Sequence, residues 1–110
     1  MKSVAVALLM LAALAPASAQ NRRTFTGVIT DDMCAEAGHA AMRMGPTDAE
    51  CTTLCVMLHD AQYVLLDGKT VYVLSDQAAA ATFPAQKVSI VGVLDARTRT
   101  IRVESIAAAK

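Results

Sequence analysis

The dipeptide Asp67-Gly68 stands between two short runs of strand-forming residues, Gln62 to Leu66 and Thr70 to Ser75. Such a dipeptide accepts the positive φ angles of a tight hairpin turn, so the two runs are expected to pair as antiparallel strands. Lys87 to Leu94 and Thr100 to Ile106, joined by Asp95-Ala96-Arg97-Thr98, give a second expected hairpin. Upstream, Arg23 to Thr30 places Phe25, Gly27 and Ile29 on one face and Thr24, Thr26, Val28 and Thr30 on the other, which is the period-two pattern of a strand. Between the hairpins, Asp76 can cap a short helix through Ala78 to Ala81, ended by Pro84.

The residues between the first strand and the first hairpin read differently. Asp31-Asp32 opens a first helical piece expected to end near Gly38, where glycine takes the conformation that closes a helix. Thr47, with Glu50 three residues later, forms a capping-box pattern for a second helix running to about His59. The expected fold is therefore mainly β: a small five-stranded OB-like barrel with a helical insert, residues 31–60, between strands 1 and 2, and a short helix between strands 3 and 4. The competing architecture is an antiparallel meander with helices on one face. In an OB barrel the loops joining strands 1 to 2 and 4 to 5 border the binding face, and here the first of these is enlarged.

Lys2, the apolar stretch Val4 to Leu14, Pro16 and the small triplet Ala17-Ser18-Ala19 read as a secretory signal peptide cut after Ala19. The stretch is shorter than the roughly 20 apolar residues of a membrane span. The expectation is a periplasmic or secreted protein with one domain, residues 20–110, and no membrane span in its mature form. Part of the 55% hydrophobic content belongs to this leader. Losing residues 1–19 removes only Lys2 among the charged side chains, leaving nine basic and ten acidic residues. With four aromatic residues and no Trp, the chain lacks the basic, aromatic-studded groove of a nucleic-acid binder. It also lacks a Gly-rich phosphate loop, a Gly-x-Ser-x-Gly elbow and a His-Glu-x-x-His motif. Nothing in the residues supports enzyme activity, although thiol redox chemistry stays open because Cys51 falls in the first turn of its expected helix.

All three cysteines, both histidines and every methionine beyond the leader lie between Met33 and His59. Cys51, Cys55 and His59 are spaced i, i+4 and i+8, which stacks them along one helix face. Residues four apart lie about 5–6 Å from each other, close enough to chelate one ion. One reading is a metal site of Cys34, His39, Cys51 and Cys55, with His59 as an alternative or additional ligand; thiolate and imidazole suit Zn²⁺, and Met33, Met42 and Met44 bring Cu(I) into range. Another uses the same thiols structurally. An exported protein meets oxidising conditions, and Cys34 can pair with Cys51 or Cys55 to staple an insert that binds an envelope protein or peptide. A Cys51–Cys55 bridge is less comfortable, because both Cα–Cβ bonds point the same way along a helix. Asp31 and Asp32 are either site carboxylates or, more simply, caps. Tyr63 and Tyr72 are either ligand-stacking rings or ordinary strand neighbours, and Arg97, Arg99 and Arg102 are either an anion contact or a solvated hairpin.

The segments Phe25-Thr26-Gly27-Val28-Ile29-Thr30-Asp31-Asp32-Met33-Cys34, Glu50-Cys51-Thr52-Thr53-Leu54-Cys55, Tyr63-Val64-Leu65-Leu66-Asp67-Gly68-Lys69 and Lys87-Val88-Ser89-Ile90-Val91-Gly92-Val93-Leu94-Asp95 resemble a family of small exported bacterial domains of unknown function. The strand half also resembles exported bacterial OB-fold proteins. The resemblance implies export and a small β-barrel, and brings no activity to transfer.

Overall fold

The structure, a computed structural model, describes residues 21–110. The expected export signal lies outside the described residues. Among the described residues there are five strands: β1 (Arg22–Asp31), β2 (Tyr63–Asp67), β3 (Thr70–Leu74), β4 (Lys87–Asp95) and β5 (Thr100–Ala108). A 3-10 turn (His39–Met42) and helix α1 (Asp48–His59) lie between β1 and β2, and a one-turn helix α2 (Gln77–Ala80) follows β3. The sheet closes in a ring of order β1-β2-β3-β5-β4. All neighbours are antiparallel except β3 and β5, which meet in parallel over Val73 with Thr100 and Leu74 with Ile101.

Closure depends on β1 using both of its edges. Arg22 to Val28 pairs with β4, and Val28 to Asp31 pairs with β2, so one ten-residue strand serves two partners. Its inward face carries Phe25, Gly27 and Ile29, as the alternation requires. Phe25 and Ile29 meet Tyr63 and Leu65 of β2, Leu74 of β3, Val88 and Ile90 of β4, Ile101 of β5 and Ala80 of α2 in one core. Val56 of α1 packs against that core. Phe25 and Tyr72 stack edge to face at 5.4 Å between centroids, so Tyr72 opposes Leu65 in register and finds its aromatic neighbour on β1.

Local chemistry accounts for the ends of the elements. Asp67 is still paired, with Thr70, so the hairpin turn is Gly68-Lys69 rather than Asp67-Gly68; Gly68 supplies the positive φ, +61°. Asp76 caps α2 by accepting from the Ala79 N–H at 2.9 Å. Gln77 then bonds the backbone where β2 and β3 part: its Oε1 accepts from the Tyr63 N–H, and its Nε2 donates to the Tyr63 and Leu74 carbonyls. No helix among the described residues is long and apolar enough to cross a membrane.

Gly27 and Gly68 separate two uses of glycine. A Cβ on Gly27 would strike the Leu66 carbonyl oxygen and approach Leu65 Cδ1, whereas one on Gly68 would meet nothing within 4 Å. Gly27→Ala is therefore expected to cost roughly 2–3 kcal/mol by overpacking the sheet. Gly68→Ala should cost about 1 kcal/mol through left-handed strain alone. Urea unfolding of the two variants checks the order.

Candidate metal centre

The site begins where β1 ends. Asp31 is fully buried and still paired with Tyr63, and its Oδ2 accepts from the backbone N–H groups of Met33 and Cys34 at 3.1 and 3.0 Å. The Cys34 N–H is also 3.2 Å from the Asp31 carbonyl, and the Gly38 N–H donates to the Cys34 carbonyl at 2.8 Å. This is a side-chain-stabilised turn, not the helix expected over Asp31 to Gly38. The reason is physical: with Asp31 held in the sheet, its carboxylate occupies the N–H groups that a helix would leave for capping. Gly38, at φ +83°, leads into the 3-10 turn that starts at His39. Neither aspartate caps a helix: Asp31 stabilises the turn, and Asp32 accepts from the Gln62 N–H at 3.2 Å, across thirty residues.

The second half matches the expected helix closely. Thr47 Oγ1 accepts from the Glu50 N–H at 3.1 Å, and α1 runs to His59, with Asp60 in the left-handed conformation closing it onto the Cys55 carbonyl. The face it turns inward is Cys51, Thr52 and Cys55, each fully buried. Cys34, Cys51 and Cys55 form a small cluster of their own, against which Met44 and Ala61 pack.

Two overlapping groups of ligand atoms result. Those of Cys34, His39 and Cys51 lie within 4.8 Å of one another, and so do those of Asp31, Cys34 and Cys55. The structure thus brings Cys34 and His39 up to the Cys51–Cys55 face and adds Asp31. A tetrahedral thiolate site has sulfur-to-sulfur edges of about 3.8 Å, so a bound ion would draw these donors modestly inward. His59 stands outside both groups, exposed at the end of α1 and about 12 Å along the axis from Cys51.

The cluster's polar atoms are incompletely paired. Among the described residues, three buried side-chain nitrogen or oxygen atoms lack a hydrogen-bond partner: Asp31 Oδ1, His39 Nδ1 and Thr52 Oγ1. Two of the three residues belong to the ligand groups, and the third neighbours Cys51. His39 Nε2 lies 3.4 Å from Thr30 Oγ1, which orients the ring and leaves Nδ1 uncommitted. Native interiors rarely leave such atoms unsatisfied, and a metal ion is one means of satisfying them. Cys51 Sγ donates to the Met42 carbonyl and accepts from the Met44 N–H, both at 3.4 Å. Met44 Sδ lies 3.9 Å from Cys55 Sγ, a contact across 11 residues that helical spacing could not reveal.

The three cysteines are free. Burial pushes the Cys34 thiol up to about 12, with the Asp31 carboxylate and the sulfurs of Cys55 and Cys51 adding to the rise. Burial and then Asp31 raise Cys55 as well. This is the opposite of what a nucleophilic thiolate needs, whereas a metal ion reverses it by displacing the thiol protons. The Arg22–Glu104 and Arg43–Asp48 ion pairs involve partly exposed side chains. No family model, curated protein or solved structure matches the chain.

These shifts make the metal-free protein sensitive to alkali. A thiol whose folded value is raised above 9.0 keeps its proton where the unfolded chain has lost it. Its contribution is fully present below about pH 9 and declines as pH rises toward 12. Urea midpoints of the reduced, chelator-treated protein should fall from pH 8.5 to pH 10.5, and the fall should be shallower in Cys34→Ala.

Proposed function

We propose that this chain is a non-enzymatic binding module, exported from the cell, that holds a transition-metal ion, Zn or Cu, in its β1–β2 insert. Cys34, His39, Cys51 and Cys55 are the proposed ligands, with Asp31 as an adjoining carboxylate. The observation that carries this reading is the gathering of three buried thiols around two unpartnered polar atoms, Asp31 Oδ1 and His39 Nδ1. The raised thiols favour it over a reactive cysteine centre.

We read the ring as OB-like, because its order β1-β2-β3-β5-β4 and the helix after β3 agree with that architecture. On this reading the insert occupies the loop bordering the usual binding face, and the protein's ligand is an ion carried by the loop itself. The rival, a domain that binds an envelope protein or peptide, draws on Met57 and Leu58, which α1 leaves 70% and 62% exposed.

The reduced protein should bind a stoichiometric ion, protecting its three thiols from a thiol reagent. Free metal at about 100-fold above Kd adds ~2.7 kcal/mol to stability, enough to raise Tm by about 10 °C or more in a domain this small. Cys34→Ser should abolish the rise and His59→Gln should leave it intact. Three freely titrating thiols and an unchanged Tm in the presence of Zn²⁺ or Cu(I) would remove the metal reading and leave the interaction domain.

A further inference from the structure

Met44 is the residue around the cluster whose chemistry the ligand set above does not use. It packs half-buried on Cys34, Cys51 and Cys55. Its backbone N–H donates to Cys51 Sγ, and its thioether lies 3.9 Å from Cys55 Sγ, so both ends of the residue face the thiols. Met33 and Met42 come near the cluster through the backbone: Met33 precedes Cys34 and is 39% exposed, while Met42 is 45% exposed and its carbonyl accepts from the Cys51 thiol. Met44 is the methionine whose thioether reaches a thiol.

Thioethers discriminate between ions. Sulfur without charge is a poor ligand for Zn²⁺ and harder ions, whereas Cu(I) takes thiolate and thioether together. Asp31 spends Oδ2 on two backbone N–H groups and thereby fixes Cys34, which makes it a positioning residue, while the Met44 thioether and the Cys55 thiol are soft donors side by side.

We propose that the ion is Cu(I) and that the Met44 thioether, packed on Cys34, Cys51 and Cys55 and beside the Cys55 sulfur, joins the cysteine thiolates in holding it. The proposal rests on the metal-binding reading and names its ion. Each coordinating thiol gives its proton to solvent as its bond to copper forms, and the copper stays monovalent throughout.

Anaerobic titration of the reduced protein tests this, with a chromophoric Cu(I) chelator and a chromophoric Zn²⁺ chelator as competitors in parallel. Met44→Leu conserves volume, and its thermal unfolding in the metal-free state verifies that the fold is kept. It should weaken Cu(I) binding by about tenfold or more while leaving Zn²⁺ within about twofold. Met57→Leu, at an exposed position on α1, should change neither. In protein labelled with selenomethionine, X-ray absorption at the selenium edge should show a selenium–copper neighbour, a readout that needs no variant. Equal effects of Met44→Leu on both ions, or no selenium–copper neighbour, would overturn the thioether ligand. Stoichiometric Zn²⁺ without Cu(I) would overturn the choice of ion and keep the metal site, and failure of both ions to bind would overturn the metal reading with it.

Discussion

The Asp31 carboxylate joins the two halves of this protein. Its backbone belongs to the sheet, paired with Tyr63, while its side chain organises the first turn of the insert through Met33 and Cys34. A buried carboxylate is expensive unless hydrogen-bonded, and two charge-assisted bonds from backbone N–H groups meet that cost on Oδ2. Oδ1 lacks such partners, and the carboxylate's charge adds to the rise that burial gives Cys34 and Cys55. Removing the carboxylate would release the turn that delivers Cys34 to α1, so the ligand geometry and the start of the insert depend on one side chain.

The insert has little else to hold it. Its buried apolar cluster consists of three cysteines, with Met44 and Ala61 against them, whereas the sheet encloses a continuous aliphatic and aromatic core. The exposed Arg43–Asp48 pair adds little, since such pairs are largely screened. What orders the segment is covalent proximity to β1, the Thr47 cap, Val56 against the sheet core, and sulfur packing on α1. A region ordered by so few apolar contacts gains much from an ion that crosslinks its turns.

Much of the sheet was legible in the sequence because strands and hairpins are written locally. The alternation through Phe25, Gly27 and Ile29, the Gly68 turn and the Asp76 cap each act within a few residues, and each recurs in the structure. The Cys51–Cys55 face was legible for the same reason, since helix periodicity follows from the Thr47 cap onward. The segment from Asp31 to Gly38 was not, because its carboxylate chose between capping a helix and stabilising a turn according to whether β1 extended through it. Met44 was legible only as a neighbour in sequence, and its thioether reaches Cys55 through a 3-10 turn and a Gly45-Pro46 bend that have no periodic signature. His59, two turns on from Cys51, has drifted about 80° round the helix and is exposed, so i, i+4, i+8 spacing did not keep it on the buried cysteine face.

The change of partner at Val28 divides the chain in another way. The half of β1 that ends at Asp31 pairs with β2, and it, the candidate centre and the β2–β3 hairpin all precede residue 75. The other half of β1 pairs with β4, whose residues 87–93 lie far later in the chain. Short loops close at less entropic cost than long ones, so the thiol-bearing half has the lower contact order. The contacts that bring the thiols together therefore span fewer residues than those that complete the ring, so gathering the cluster and closing the sheet are separable steps.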